Sequence, residues 1–219
     1  FAPGLSAQAR IVSVETINGG NGDDLIDLSS PSYDLGTVTI NGGDGDDVIW
    51  SSVGDDAISG GLGNDSLFGG DGDDLISGGG GVNILRGHDG DDILVTSNTT
   101  FQLIDGGSGT DTLRLDGLLD LDLTTIDNSK TAGIEIIDIT GSGNNTLTLG
   151  LQDILDLSDT SNTLQIDGNA GDTVVVGTVP GQYFQQPAQI INSVNYNVFS
   201  VGGTGETLLI NEDVVHQWA

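Results

Sequence analysis

A nine-residue repeat dominates the first half of the chain. Six copies follow one another without a gap from Gly42 to Val95, and two separate copies begin at Gly19 and Gly106. Every copy has Gly at its fourth position and Ile or Leu at its eighth. The sixth position is Asp in all copies except one, where Asn83 replaces it. A repeat this short buries its apolar face only by stacking on its neighbours, so the pattern predicts a solenoid.

The residue types within one repeat predict the shape of the unit. Gly at the first, second and fourth positions allows a sharp turn over six residues, because glycine adopts backbone angles that a Cβ atom forbids. The last three positions then form a very short strand whose central Ile or Leu points inward. Two repeats make one coil of 18 residues, and successive coils stack as parallel strands about 4.8 Å apart. The predicted fold class is all-β, a right-handed parallel β-roll.

Stacking by coils places alternate repeats above one another, so that their turns form two rows with a ladder of sixth-position side chains in each. The copy at Gly106 starts 19 residues after Gly87 and extends the second row through Asp111. The copy at Gly19 starts 23 residues before Gly42, and the segment SSPSYDLG replaces the turn opposite. The first row contains Asp24 and turns 42–47, 60–65 and 78–83, and the second contains turns 51–56, 69–74 and 87–92.

A ladder of acidic side chains requires a cation. Two carboxylates about 5 Å apart repel each other by about 0.8 kcal/mol in water and about 3 kcal/mol at an effective dielectric constant of about 20. Burial of one Leu or Ile in each repeat contributes only roughly 1.5–3 kcal/mol. Calcium takes about six to eight oxygen ligands, which two facing turns can supply, whereas magnesium demands octahedral geometry and zinc and copper prefer nitrogen or sulfur. The turns therefore predict several calcium ions, about four to six.

The candidate calcium ligands occupy the first, third and sixth positions of the turns. At the sixth position they are Asp24, Asp47, Asp56, Asp65, Asp74, Asn83, Asp92 and Asp111. At the first and third positions they are Gly42, Asp44, Gly60, Leu62, Gly69, Asp71, Gly78, Gly80, Gly87 and Asp89. Asn83 keeps an oxygen but lacks the charge, so its site is predicted to be the weakest. Ser51 and Ser52 depart from the pattern, because they replace both opening glycines of their turn.

The repeats resemble a known family. The pattern GGxGxDxUx, as in GGDGDDLIS from Gly69, is similar to the calcium-binding nonapeptides of RTX proteins, and the resemblance extends from Gly19 to Arg114. RTX regions occur in toxins, lipases, serralysin-type proteases, alginate epimerases and giant surface adhesins, which are exported by type I secretion with an uncleaved C-terminal signal. The resemblance implies a parallel β-roll with calcium between stacked turns that folds after export into calcium-rich medium. It also implies the type I secretion ABC transporter as a partner.

The repeat fades after Leu115. The segment GIEIIDITGSGNNTLTL predicts two short strands, with Asn145 where the repeat would place Asp. Leu151, Ile154 and Leu157 have helical spacing, which predicts one short helix. Two later segments, NTLQIDGNAGDTVVVG and NYNVFSVGGTGETLLI, predict hairpins around Gly-rich loops.

Both loops imitate the repeat, but Thr173 and Thr207 stand in their sixth places, so neither is expected to bind metal. This half is similar to the C-terminal region of giant RTX adhesins of Gram-negative bacteria, including ice-binding ones. The resemblance implies a β-rich cap with a type I secretion signal, which we expect within Asn195–Ala219. The chain begins with Phe1 and is interpreted as a fragment of a longer protein.

Three regions are predicted: residues 1–17 as an N-terminal strand or cap, 18–114 as the calcium-binding roll, and 115–219 as the C-terminal cap and secretion region. The net charge of -29 makes nucleic-acid binding unfavourable, because the chain repels phosphate backbones. No apolar run reaches the roughly 18 residues of a membrane span, so we expect no membrane insertion. The expected product is a monomer, secreted to the cell surface of a Gram-negative bacterium.

Catalysis is not expected. Neighbouring pairs such as Asp73 and Asp74 resemble glycosidase acids, but in a repeat one such side chain faces metal and the other solvent. The chain has only two histidines, His88 and His216, neither placed to serve a catalytic triad. The ninth-position residues form no regular array of Thr or Asn, which argues against ice binding.

Two function classes remain: a non-catalytic calcium-binding region of a secreted adhesin, or the RTX tail of a secreted lipase or protease whose catalytic domain lies elsewhere. Trp50 is expected to lie in a surface patch rather than in a sugar site.

Overall fold

A computed structural model describes residues 15–29, 35–158, 161–177 and 182–219. Most of the predicted N-terminal strand or cap, and most of the segment SSPSYDLG, lie outside the described residues. The described part consists mainly of short strands, which confirms the all-β prediction. Within the same ranges, no helix is both long and apolar enough to cross a membrane.

The described residues form 21 strands, one α-helix (α1, Leu151–Leu157) and two short 3₁₀ helices (Leu123–Thr125 and Asn128–Lys130). In chain order the strands are β1 (Thr16–Asn21), β2 (Leu25–Asp27), β3 (Thr39–Asp44), β4 (Val48–Trp50), β5 (Ala57–Leu62), β6 (Ser66–Asp71), β7 (Leu75–Gly79), β8 (Ile84–Asp89), β9 (Ile93–Thr96), β10 (Leu103–Ser108), β11 (Thr112–Leu115), β12 (Asp120–Asp122), β13 (Thr131–Ala132), β14 (Ile136–Asp138), β15 (Thr146–Leu149), β16 (Thr163–Asp167), β17 (Thr173–Val176), β18 (Tyr183–Ile191), β19 (Val194–Val201), β20 (Thr207–Asn211) and β21 (Val215–Trp218).

The strands form three sheets. Sheet A has the spatial order β1-β3-β5-β7-β9-β11-β14-β16-β20-β19-β18, sheet B the order β13-β10-β8-β6-β4-β2, and sheet C the order β12-β15-β17-β21. From β1 to β11 the chain alternates between sheets A and B, and the neighbouring strands within each sheet are parallel. This arrangement is that of the predicted parallel β-roll, because each coil contributes one strand to each sheet.

The pairing of the strands confirms the predicted 18-residue coil. Thr39 lies beside Ala57 in sheet A, and Ser66 lies beside Ile84 in sheet B. The offset rises to 19 residues between β9 and β11 and to 23 between β1 and β3, as the spacing of the outlying copies requires. One additional residue is therefore absorbed in the loops without breaking the stack.

The eighth position of the repeat forms the core, as predicted. Ile49, Leu67 and Ile76 are fully buried between the sheets. Burial of one such side chain contributes roughly 1.5–3 kcal/mol. The same column continues past the repeats through Ile137 and Leu147, in a single hydrophobic cluster. The two halves of the chain therefore share one core.

Sheet A continues through the C-terminal half, while sheet C replaces sheet B opposite it. The predicted helix is present as α1, which buries Ile154 and Leu157. Of the two predicted hairpins, NYNVFSVGGTGETLLI is confirmed, since β19 and β20 pair antiparallel.

The hairpin predicted for NTLQIDGNAGDTVVVG is wrong. Its two strands lie in different sheets, with β16 in sheet A and β17 in sheet C, and both pair in parallel with other strands. The Gly-rich loop between them crosses from one sheet to the other, as the repeat turns do. The core therefore continues through one more coil instead of ending at a hairpin.

Candidate metal centre

The turns between sheets A and B stack in the two predicted rows, because the strands on either side of them are in register. Row 1 contains the turns that end at Asp24, Asp47, Asp65 and Asn83, and row 2 those that end at Asp56, Asp74, Asp92 and Asp111. Glycine is favoured at the second and fourth positions of most turns, where φ is positive: it is 121° at Gly43 and 131° at Gly45.

The sixth-position side chains form an inner ladder, and each of them is a rung of it. The Oδ1 atom of a rung accepts a hydrogen bond from the backbone N–H of the sixth residue one coil earlier. In row 1 the Asp47 N–H donates to Asp65 Oδ1 at 2.9 Å. In row 2 the Asp56 N–H donates to Asp74, and the Asp74 N–H to Asp92, both at 2.8 Å. One oxygen of each carboxylate therefore joins successive coils directly.

The second oxygen of most rungs has no hydrogen-bond partner. Within the described residues, six buried Oδ2 atoms accept no hydrogen bond, and they belong to Asp24, Asp47, Asp65, Asp74, Asp92 and Asp111. A buried polar atom left unpaired costs about 1–3 kcal/mol, and more when the group is charged. We call these six side chains the open rungs. A cation bound at the Oδ2 atom of each open rung would supply the missing partner.

The first-position glycine leaves a small cradle beside each Oδ2 atom. A Cβ atom added to Gly42 would lie less than 3.0 Å from Asp47 Oδ2 and 2.7 Å from the carbonyl oxygen of Gly60 in the next coil. At Gly69 the corresponding atoms are Asp74 Oδ2 and the carbonyl oxygen of Gly87. This position requires glycine for space rather than for its backbone angles. The cradle brings together a carboxylate oxygen and a carbonyl oxygen from two successive coils.

The third-position candidates contribute backbone rather than side-chain oxygens to the turn rows. The carbonyl oxygen of Leu62 accepts a hydrogen bond from the Gly45 N–H at 2.8 Å, and that of Asp71 accepts one from the Gly54 N–H at 2.7 Å. The Asp89 carbonyl oxygen is engaged in the same way. Each carbonyl retains one lone pair, but the side chains of Asp44, Asp71 and Asp89 are exposed and lie outside the inner ladder.

Burial and, to a smaller extent, repulsion between carboxylates raise the pKa of four open rungs, Asp65, Asp74, Asp92 and Asp111. Burial raises the pKa of Asp74 to about 7, and the carboxylates of Asp92 and Asp56 add to the effect. Burial also raises the pKa of Asp92 to about 6 and that of Asp111 to about 7. The pKa of Asp65 is raised for the same reason. Without a cation, Asp74, Asp92 and Asp111 therefore bind protons at a pH closer to neutral than an ordinary Asp carboxyl does.

Two predicted ligands have no free side-chain oxygen. Asn83 accepts the Asp65 N–H with Oδ1 at 2.8 Å, and its Nδ2 donates to the Gly80 carbonyl oxygen at 3.2 Å. Asp56 uses its Oδ2 to accept hydrogen bonds from Ser51 and Ser52. Rungs whose second side-chain atom is already hydrogen-bonded are called closed rungs below.

The fifth positions form an outer ladder, which the sequence analysis missed. Asp46 Oδ1 accepts a hydrogen bond from the Asn64 N–H at 2.7 Å, and Asp73 Oδ1 accepts one from the Asp91 N–H at 2.8 Å. Asp73 is exposed to solvent as predicted, yet it also connects two coils. The recurrence of Asp or Asn at the fifth position was the available signal.

The inner ladder continues beyond the repeats through Asn145, which the sequence analysis placed where the repeat has Asp, and through Glu135 and Asp172, which it did not assign. Glu135 accepts the Asp111 N–H at 2.9 Å and lengthens row 2. A third row begins where Asn145 accepts the Leu119 N–H at 2.7 Å. Its next rung is Asp172, which accepts the Asn145 N–H at 2.8 Å.

Both rungs of this third row are closed. The Nδ2 of Asn145 donates to the Ile139 carbonyl oxygen at 2.9 Å, and Asp172 Oδ2 accepts the Asn169 N–H at 2.6 Å. The sequence analysis placed Thr173 at the sixth place of this loop, but Asp172 takes the ladder position. The loop that starts at Gly168 reaches its rung in one residue fewer than a repeat turn.

The histidines and tryptophans considered for other functions lie apart from the inner ladder. The ring of Trp50 stacks on Phe68 with centroids 5.2 Å apart, on neighbouring strands of sheet B. His88 is exposed and has a φ of 85° at a second position that is otherwise glycine in most turns. His216 lies against Phe199, with ring centroids 5.5 Å apart.

The donor set of the open rungs fits calcium. Its atoms are buried carboxylate oxygens and backbone carbonyl oxygens, which are ligands that calcium prefers, whereas zinc and copper favour nitrogen and sulfur. A divalent cation would supply the positive charge that the Oδ2 atoms lack. It would also offset the repulsion between carboxylates, which adds to burial in raising the pKa of Asp74, Asp92 and Asp111.

Comparison with known families agrees with this chemistry. Residues 14–30, 39–67 and 59–94 match the family model described as the RTX calcium-binding nonapeptide repeat. The chain therefore carries RTX repeats, which bind calcium, and all the open rungs except Asp111 lie within the matched segments. A search of curated proteins found no match.

Proposed function

We propose that this chain is a calcium-binding, non-catalytic region of a large secreted RTX adhesin, and that the open rungs hold its calcium ions. The six buried, unpaired Oδ2 atoms carry this proposal. They occur at one position of the repeat, within or next to the segments that match the RTX model. In four of the six turns the first-position glycine lies against both the Oδ2 atom and a carbonyl oxygen of the next coil. A solenoid that needed no metal would have no reason to bury an unpaired charge at this position.

Calcium binding would couple the folding of the roll to export. The net charge of -29 and the unpaired rungs disfavour the compact state wherever free calcium is scarce, as in the cytosol. The chain would then pass unfolded through a type I secretion channel. Extracellular modules bind calcium with dissociation constants of about 10⁻⁴–10⁻³ M. Once folded outside the cell, the chain could not slide back through the channel, so folding would bias transport outward.

The test of calcium-coupled folding is a titration of the full chain followed by circular dichroism. Chelator should abolish much of the strand signal, and millimolar calcium should restore it, because binding free energy becomes folding free energy when the site forms only in the folded state. Magnesium at the same concentration should not substitute for calcium. Identical spectra in chelator and in calcium would refute the proposal.

The adhesin and secretion assignments rest on the resemblance of the C-terminal half to RTX adhesin C-termini. No Lys or Arg follows Lys130, and we place the secretion signal within Asn195–Ala219. Fusion of Leu115–Ala219 to an unfolded reporter should direct export through a matching transporter. Removal of Asn195–Ala219 from that fusion should abolish export while the reporter is still made in the cell. Normal secretion of the shortened fusion would leave this half with a capping role only.

The alternative parent is a secreted enzyme with an RTX tail. Sequencing the gene on the 5′ side of the Phe1 codon tests which parent is correct. Long tandem β-sandwich repeats would support the adhesin, whereas an HExxH or GxSxG segment would indicate a metalloprotease or a lipase.

A further inference from the structure

Asp56 differs from every open rung in how its second oxygen is used. Its Oδ1 accepts a hydrogen bond from the Val38 N–H at 2.7 Å, as in the rest of the ladder. Its Oδ2 accepts hydrogen bonds from the hydroxyl of Ser51, from the Ser52 N–H at 3.2 Å and from the Ser52 hydroxyl at 3.3 Å. The carboxylate is therefore fully paired within the protein.

The two serines occupy the space that other turns leave beside the carboxylate. In each turn that carries an open rung, the first residue is glycine. A Cβ atom at that residue would collide with the rung, as at Gly42 and Gly69. Ser51 places a side chain at this position and directs its hydroxyl at Asp56 Oδ2. Ser51, Ser52 and Asp56 are each less than 5% exposed, so this arrangement is enclosed by the protein.

We infer that Ser51 and Ser52 take the place of a calcium ion at Asp56, so that this rung is closed without metal. The inference rests on the proposed calcium function of the open rungs. A calcium ion at Asp56 would have to displace the hydrogen bonds from both serines and move the buried Ser51 side chain out of the cradle. Hydrogen bonds from hydroxyl and amide donors to a buried carboxylate are charge-assisted and strong.

The position of this rung gives the closure a structural reason. Asp56 is the first rung of row 2, and the amide that it accepts belongs to Val38, which follows the segment SSPSYDLG instead of a repeat turn. Closure by serine fixes the beginning of row 2 whether or not calcium is bound. The later rungs of row 2, Asp74, Asp92 and Asp111, are all open.

The ion count tests this inference. The full chain is dialysed against buffered calcium, and bound calcium per chain is measured by mass spectrometry for the wild type, Asp56→Asn and the matched control Asp74→Asn. Asparagine keeps the Oδ1 acceptor, as Asn83 does, so the ladder is preserved. We expect Asp74→Asn to lower the bound calcium and Asp56→Asn to leave it unchanged.

A gain-of-site variant tests the same point from the other direction. Ser51→Gly/Ser52→Gly restores the glycines of the other turns and frees Asp56 Oδ2, so the chain should bind one additional calcium ion. If Asp56→Asn lowers the count as much as Asp74→Asn, the rung binds calcium and the inference is wrong, while the proposed function stands. If the double glycine variant gains no calcium, the serines are not the reason and the inference is wrong. A wild type that binds no calcium at all overturns the proposed function and the inference together.

Discussion

The repeat half and the C-terminal half build the same ladder but complete it differently. In both halves a side-chain oxygen accepts the backbone N–H of the preceding coil, as Asp74 does for Asp56 and Asp172 does for Asn145. In the repeat half the second oxygen of Asp74 is unpaired. In the C-terminal half Asp172 receives a second hydrogen bond from the Asn169 N–H. Stacking therefore requires only one oxygen of each rung. Whether the coil depends on a cation is set by the second side-chain atom, which is either hydrogen-bonded within the protein or unpaired.

The difference has an electrostatic consequence. Burial raises the pKa of Asp74, and repulsion from the carboxylates of Asp92 and Asp56 in the same row adds to the effect. The third row alternates a neutral amide with a carboxylate, since Asn145 precedes Asp172. A row without adjacent buried charges needs no counter-ion. We therefore expect the two halves to respond differently to calcium, although they share one core.

The largest expected effect is that of calcium removal, measured by hydrogen exchange residue by residue. A single site at 100 times its dissociation constant adds about 2.7 kcal/mol of stability, so several sites rival the about 5–15 kcal/mol of a whole domain. In chelator the ladder amides of Asp47 and Asp74, which donate to the open rungs Asp65 and Asp92, should lose protection. The amides of Asn145 and Thr173, hydrogen-bonded in the third row, should keep more of theirs. Equal loss in both halves would mean that the halves unfold as one unit.

The next effect compares rungs by alanine substitution. Asp74→Ala should weaken calcium binding by at least about tenfold, which corresponds to about 1.4 kcal/mol, because it removes a free oxygen and leaves the Asp56 N–H unpaired. Asp73→Ala is the matched control, since it removes only an exposed outer-ladder hydrogen bond and should change affinity little. Asp172→Ala should destabilise the protein by about 1–3 kcal/mol, equally with and without calcium. Affinities come from calorimetry and stabilities from urea unfolding. Equal losses of affinity in the Asp73 and Asp74 variants would contradict the assignment of the open rungs.

A smaller effect is expected from pH on the calcium-free protein. The pKa of Asp74 and Asp111 is about 7 and that of Asp92 about 6 in the folded state, against an ordinary value of 3.8. The folded state therefore binds more protons than the unfolded state between these limits, and its stability falls as pH rises from about 4 to about 7. Melting in chelator should occur at a higher temperature at about pH 5 than at about pH 8.

Calcium affinity should depend on pH in the opposite direction from the stability of the calcium-free protein: it should rise as pH rises. Protons compete with calcium for the same carboxylates, so calcium affinity should fall as pH drops below about 7. Amide protection in the third row should vary less with pH than protection in the repeat half. If the calcium-free protein melts at the same temperature at both pH values, protonation of Asp74, Asp92 and Asp111 does not stabilise it.

The repeat predicted much of the fold because each of its columns has one physical role. The eighth position predicted the core residue Leu67, and the 18-residue coil predicted that Ser66 would lie beside Ile84. The C-terminal half lacks such a period, so the alternation around Gly168–Asp172 looked like a hairpin. Only the register of β17 in sheet C identifies this loop as a crossing turn.

The sequence indicated the open rungs but not the closed ones. The regular spacing of Asp along the chain shows where carboxylates stack, whereas closure of a rung depends on where individual hydrogen-bond donors point. Ser51 was visible as a departure from the motif, but its hydrogen bond to Asp56 required the structure. The sequence showed that Asn83 lacks the charge of the other rungs, but its Nδ2 hydrogen bond to the Gly80 carbonyl oxygen could not be predicted from spacing alone.

The smallest expected effect comes from converting a closed rung into an open one at the end of row 1. Asn83→Asp replaces the Nδ2 donor by an oxygen and should tighten calcium binding beside Asp65. In chelator, the same change should destabilise the calcium-free protein, because it adds a buried charge. The gain should be modest, because no repeat turn follows: Ser97 and Asn98 donate to the carbonyl oxygens of Gly79 and Gly81 at 2.8 and 3.0 Å.

Asn64→Asp is the matched control for this change, because it adds the same charge at an exposed position of the outer ladder. Calorimetric calcium titration of the two variants separates the effect of a buried free oxygen from that of net charge. We expect tighter binding in Asn83→Asp and affinity close to wild type in Asn64→Asp. If both variants bind calcium more tightly to the same degree, general electrostatic attraction accounts for the change. The distinction between open and closed rungs would then fail at this position.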